Sequence, residues 1–197
     1  MFDPAGPVLG IDPGVSCCGY GAVRRDDGAG SWEAVACGVI RTPTADPLPT
    51  RLAALERELA ALVAELRPAA MAVERVLFQA NVRTAMSVGQ ASGLALAVAA
   101  RAGVPVTDYS PNEVKLGVVG YGGAAKEQVQ EMVARVLGLD APPRPADAAD
   151  ALALALCHAW GGGLRSAVHA ALVKEQSGAC SDERDAGAER PVKEESR

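Results

Sequence analysis

Residues 8–14 read Val8-Leu9-Gly10-Ile11-Asp12-Pro13-Gly14, a short apolar run that ends on an acid and a turn. The run is too short for a helix and apolar throughout, as a strand at the centre of a sheet should be. Asp12-Pro13-Gly14 turns the chain, and Gly19-Tyr20-Gly21-Ala22-Val23 is predicted as a second strand. The polar stretch from Arg24 to Gly30 reads as a hairpin loop, and Glu33 to Ile40 as a third strand. Three short strands joined by turns predict an antiparallel meander.

Beyond the meander the pattern alternates between helix and strand. Leu52, Leu55, Leu59, Leu62, Val63 and Leu66 mark one face of a helix that Thr50 would cap and Pro68 would end. Ala70 to Glu74 is predicted as a strand, Asn81 to Ala102 as a long helix, and Val104 to Tyr109 as another strand. Ser110-Pro111-Asn112-Glu113 has the form of a helix start, with Ser as N-cap, Pro first in the helix and Glu completing a capping box. Gly117 to Gly123 reads as a mobile loop and Ala125 to Leu137 as a helix. The Pro-rich link 142–145 precedes a last helix from about Asp147 to Trp160. The fold class expected is α/β: a mixed five-stranded sheet, meander first and parallel strands after, with helices on both faces. One domain would span residues 1–174, and residues 175–197, polar and charged, read as a disordered acidic tail.

Composition excludes several classes. With 49% hydrophobic and 22% charged residues the chain is of the ordinary globular type. Residues 1–7 hold an Asp, two prolines and no basic residue, unlike a signal peptide. The uncharged stretch from Thr84 to Ala100 falls short of the roughly 20 apolar residues a membrane span needs. A cytoplasmic protein with no membrane partner is expected. Five cysteines without a C-x-x-C, and only two histidines, argue against structural zinc and for reduced thiols. The net charge is −5, but seven acids and four bases from Glu175 onward place −3 of it in the tail. A nucleic-acid partner is therefore compatible with the body of the chain.

Four carboxylates stand where a carboxylate needs a reason. Asp12 and Glu74 end apolar strands, and Asp147 and Asp150 open the apolar run Ala151 to Leu156. Acids beside buried segments are costly unless paired, hydrogen-bonded or bound to a cation. Asp12 could serve the turn alone, and Asp147 and Asp150, three apart on one helix face, could serve as an N-cap and a first-turn acid. Nothing in Arg75-Val76-Leu77 gives Glu74 such a role. If the strands at Val8 and Ala70 are adjacent, Asp12 and Glu74 meet at one sheet end and the last helix can add the other two. Oxygen-only ligation suits Mg²⁺ or Mn²⁺, and a pair of such ions about 4 Å apart suits phosphodiester hydrolysis.

Several blocks, in order, resemble the RuvC-type Holliday junction endonucleases. They are Val8 to Gly14 with Gly19-Tyr20-Gly21, Ala72-Val73-Glu74-Arg75-Val76, Asn81 with Val88-Gly89-Gln90-Ala91-Ser92-Gly93, Val114-Lys115 with Val118-Val119-Gly120, and Ala146 to Ala153. The resemblance implies an RNase H-like fold and Mg²⁺-dependent resolution of four-way DNA junctions in recombination and repair. Mn²⁺ would substitute, with two ions per active site. Asp12, Glu74, Asp147 and Asp150 fall on the family's catalytic carboxylates. Lys115 and Lys126 fall on positions that face the DNA backbone, and Arg75 joins them as a candidate DNA contact. Where the family places an aromatic that stacks on an unpaired base, this chain has Leu77 followed by Phe78; either could fill the role. The resemblance also implies a homodimer through the helix 81–102 and cooperation with a branch-migration motor. The alternatives are a related nuclease acting on RNA, an actin-like ATP-binding protein, and an inactive junction-binding protein.

Overall fold

The computed structural model describes residues 6–26, 28, 30–76 and 82–161. Its strands are β1 (Val8–Asp12), β2 (Cys17–Arg25), β3 (Trp32–Arg41), β4 (Ala70–Glu74) and β5 (Val106–Tyr109). Its helices are α1 (Leu48–Leu66), α2 (Val82–Ala102), α3 (Pro111–Val119), α4 (Lys126–Val136) and α5, residues 146–161. The strands form one sheet in the order β3-β2-β1-β4-β5. The β1–β2 and β2–β3 pairs are antiparallel, and β1–β4 and β4–β5 are parallel. This is the mixed sheet expected from the sequence. Among the described residues no helix is long and apolar enough to cross a membrane.

Period-two alternation sorts the strands between two cores. Leu9 and Ile11 of β1 and Met71 and Val73 of β4 face α1 and α2, where Leu55, Leu59, Val63, Ala95 and Val98 meet them. Ala72 of β4 and Tyr109 of β5 face the other way, onto Val114, Val118, Val129 and Val133 of α3 and α4 and Leu152 and Leu156 of α5. Each fully buried Leu, Ile or Met stabilises the fold by roughly 1.5–3 kcal/mol. Asp12 and Glu74 share the parity of Gly10 and Ala72, so both point to the face that carries α5.

The element ends differ from the sequence reading in ways the chain explains. Helix α1 starts at Leu48, with Pro47 as N-cap and Pro49 in the first turn, so Thr50 lies inside the helix rather than capping it. A first-turn proline removes an N–H that has no intrahelical partner anyway. Strand β2 begins at Cys17, ahead of Gly19. Gly117 belongs to α3, and the following loop begins only at Gly120, which caps α3 at φ 80°. The expected capping box is formed: the Ser110 hydroxyl accepts from the Glu113 amide, and Glu113 Oε2 accepts from the Ser110 amide at 2.8 Å. The compact unit built by these elements ends at Trp160, and the expected boundary at residue 174 and the tail lie outside the described residues.

One packing contact sets the rest. Helix α5 lies directly on the backbone of β1 and β2. A Cβ added to Gly10 would stand 1.9 Å from the Ala151 carbonyl oxygen, and one on Gly21 would stand 2.7 Å from the Leu152 nitrogen. One on Gly19 would stand 2.2 Å from the carbonyl oxygen of Asp147. The helix residues Ala151, Ala155 and Leu152 at these contacts are completely buried. Gly10→Ala should therefore lower unfolding stability by at least about 2 kcal/mol, because backbone cannot give way as a side chain can. Gly122→Ala, where the new methyl meets only an ordinary contact at 3.7 Å, should stay within about 0.5 kcal/mol of wild type. Urea unfolding of the two variants checks this.

Candidate metal centre and nucleic-acid interface

Strands β1 and β4 run parallel with Ile11 opposite Val73, so the next residue of each, Asp12 and Glu74, ends its strand beside the other. The first turn of α5 brings Asp147 and Asp150 to the same point, where the positive end of the helix dipole favours acids. One carboxylate oxygen from each of Asp12, Asp147 and Asp150 lies within 4.8 Å of the others. Glu74 completes the group through a hydrogen bond with Asp12. All four acids picked out in the sequence thus meet, and the approach is set by glycine: Gly19 is the register partner of Asp12 and touches the backbone of Asp147.

Four acids at one point need positive charge. Asp12 is pushed up to about 8, first by burial, then by the hydrogen bond and charge of Glu74 and the charges of Asp150 and Asp147. The hydrogen bond with Glu74 favours the protonated form of Asp12. Lys126, first residue of α4, places Nζ 2.5 Å from Asp150 Oδ2. Burial lowers the Lys126 pKa, but its bond to Asp150 and the charges of Asp150, Asp12 and Asp147 outweigh that and hold it above the usual lysine value. Lys115 of α3 lines the same cleft, a space of about 290 Å³ walled by Asp12, Glu74, Asp150, Lys126, Val114 and Leu154 among others. The donors are carboxylate oxygens, a set that fits a hard divalent cation.

One neighbour escaped the sequence reading. Cys17 donates its S–H to Asp147 Oδ2 at 3.3 Å, and its pKa is raised by burial first and then by that bond and charge. It remains a thiol rather than a thiolate ligand. The signal was its parity: Cys17, Gly19 and Gly21 share one face of β2, the face covered by α5. The expected DNA contact Arg75 is engaged with acids. Its Nε lies 2.5 Å from Asp108 Oδ2 and its Nη1 3.5 Å from Glu113 Oε2. Leu77 and Phe78 lie outside the described residues.

Comparison with known proteins shows which family the chain resembles. The family model described as crossover junction endodeoxyribonuclease RuvC matches residues 8–158. The chain is similar to the crossover junction endodeoxyribonuclease RuvC of Salinispora arenicola, 54% identical over 171 residues that cover 87% of this chain and 97% of that protein. The solved structure of Thermus thermophilus RuvC superposes with a TM-score of 0.74 at 39% identity, over 80% of this chain and 96% of that one. The same protein in complex with a Holliday junction substrate gives 0.73 at 36% identity, with the same coverage.

A pH-dependent cation effect follows from Asp12. Its native pKa of about 8 exceeds the ordinary 3.8, so between these values the folded state holds more protons than the unfolded one. Its contribution to stability therefore falls as pH rises from about 4 to about 8. A divalent cation that replaces the proton should raise Tm more at pH 8.5 than at pH 6, and Asp12→Asn should remove the difference. Melting curves with chelator and with Mn²⁺ at both pH values check this; equal shifts would contradict it.

Proposed function

The chain belongs to the RuvC family of crossover junction endodeoxyribonucleases, and from that premise we propose how its own residues cut DNA. It has the RNase H-like resolvase fold, and it is a structure-specific endonuclease that resolves four-way junctions by phosphodiester hydrolysis in recombination and repair. The observation that carries the site assignment is the meeting of Asp12, Asp147 and Asp150 within 4.8 Å, with Glu74 bonded to Asp12. The RNA-cutting and ATP-binding alternatives are not favoured, since the family match runs over residues 8–158.

Asp12, bonded to Glu74 and close to Asp147 and Asp150, would hold the metal together with these three. Mg²⁺ is the proposed cation, two per site, with Mn²⁺ able to substitute. When bound, the metal supplies activation of the attacking water and neutralises charge at the leaving oxygen. A bound metal would take the place of the Asp12 proton and would compete with Lys126 for Asp150. Lys126 and Lys115, which line the cleft, would face the DNA backbone as point charges for phosphate. The Arg75 ion pairs hold the end of β4, and so Glu74, in place.

The enzyme is proposed to work as a homodimer through α2. Met86 is 62% exposed and Leu96 43% exposed, and an added Cβ at Gly89 or Gly93 would meet nothing within 4 Å. These four residues share one helix face. A twofold dimer matches a junction that needs two opposed cuts. Work on DNA with a branch-migration motor, in the cytoplasm, is proposed on family membership alone.

Asp12→Asn, Glu74→Gln and Asp147→Asn should each abolish cleavage of an immobile four-way junction in Mg²⁺ while leaving junction binding largely intact. Asp150→Asn should be severely impaired. Gel cleavage and binding assays on the same preparations check this, and full cutting by the Asp12 or Glu74 variant would contradict the assignment.

A further inference from the structure

Lys115 and Lys126 lie on one flank of the acidic centre. Two arginines that the cutting reaction does not use lie on the other. Strand β3 runs in the same direction as β1, because each is antiparallel to β2. The sheet edge that carries Asp12 and Glu74 therefore also carries Arg41, the last residue of β3, paired with Cys17 at the start of β2. Directly paired residues of antiparallel strands point to the same face. Cys17 reaches Asp147, so Arg41 leaves the sheet on that face too.

Arg51, in the first turn of α1, reaches the same end of the sheet from the opposite face, beside the residue that follows Arg41 and the one that precedes Cys17. Its Nε donates to Thr42 Oγ1 at 3.0 Å and its Nη2 to Ser16 Oγ at 2.6 Å. The Thr42 hydroxyl is itself fixed, donating to the Val15 carbonyl at 2.5 Å. Thr42 is a buried polar residue, 5% exposed, and what it holds is this guanidinium. A cation positioned by neutral hydroxyls keeps its whole charge. Among the described residues no carboxylate lies within ion-pair distance of Arg41 or Arg51, whereas Arg24, Arg75 and Arg101 are each paired with an acid.

A DNA strand crossing this edge passes over four acids and needs to be held on both sides of them. Two strand spacings of about 4.8 Å across the sheet and a two-residue offset of about 6.6 Å along it place the Arg41 backbone roughly 12 Å from that of Asp12, close enough for a neighbouring phosphate and too far for the scissile one. Planar guanidinium forks suit phosphate oxygens. We propose that Arg41 and Arg51 form a second phosphate-holding position on the cleaved strand, on the side of the scissile bond opposite to that held by Lys115 and Lys126. They are positioning residues, and the proposal rests on the acidic centre being the cutting site.

The test is a set of anisotropy titrations of a labelled four-way junction at several salt concentrations, with Ca²⁺ in place of Mg²⁺. Arg41→Gln and Arg51→Gln should each weaken binding on the order of tenfold and flatten the salt slope by about 0.9. Arg51→Lys should keep the slope. Wild-type affinity and slope in both Gln variants would overturn the proposal. If Arg51→Gln melts below wild type, Arg41→Gln decides alone, since its side chain makes no hydrogen bond among the described residues. Junctions with single methylphosphonates locate the contact. The substitution that silences Arg41→Gln should differ from the one that silences Lys115→Ala and lie across the scissile bond from it; a shared position would overturn the proposal. Wild-type cutting in Mg²⁺ is the separate control. A wild type that binds but does not cut refutes the nuclease assignment, while the slopes and methylphosphonates still decide whether the arginines hold phosphate.

Discussion

The close approach of α5 to the backbone of β1 and β2 is the contact on which the site depends. Helices usually rest on a sheet through the side chains of both, and those side chains hold the two layers apart. Here Gly10, Gly19 and Gly21 offer none, and the helix backbone at Ala151, Asp147 and Leu152 lies directly on them. The contact gives up apolar area, and the larger residues of α5, Leu152, Leu154 and Leu156, recover it against the rest of that core. What the approach gains is reach. Asp side chains are short, and Asp12 and Asp147 come within 4.8 Å because Gly19, the partner of Asp12 in the sheet, lets the backbone of Asp147 touch down beside it.

Bringing the acids together creates an electrostatic cost that the surroundings offset only in part. The proton on Asp12, the ammonium of Lys126 and the thiol of Cys17 each answer one carboxylate. A proton and a half-exposed lysine can leave, and that is the useful property. A centre balanced by permanently buried arginines could not exchange its counter-charge for metal. The neighbouring Arg75 is kept apart from this exchange by its own acids, Asp108 and Glu113.

How much of this was legible in the sequence varies with the range of the interaction. The apolar runs that end on Asp12 and Glu74 announced central strands with acids at their tips, and strand parity places both acids on one face. The capping box at Ser110 is local and was readable in full. The start of α1 was misread because Thr50 is a good cap by type, while Pro47 and Pro49 had already placed the helix entry upstream. Gly117 was read as loop because its reason for being glycine, the Cys157 sulfur 2.7 Å from an added Cβ, lies forty residues away on α5. Likewise Cys17 meeting Asp147, and Arg51 meeting Ser16 and Thr42, are long-range contacts with no local pattern.

Backbone contact at Gly19 brings Asp147 to Asp12 and so assembles the acidic centre. Calorimetric titration of Gly19→Ala with Mn²⁺ checks this. The added methyl would stand 2.2 Å from the Asp147 carbonyl oxygen, so the first turn of α5 must retreat from Asp12. Mn²⁺ affinity is predicted to fall by at least about tenfold, the loss expected when a ligand's support is removed. Wild-type Mn²⁺ affinity in this variant would contradict the claim.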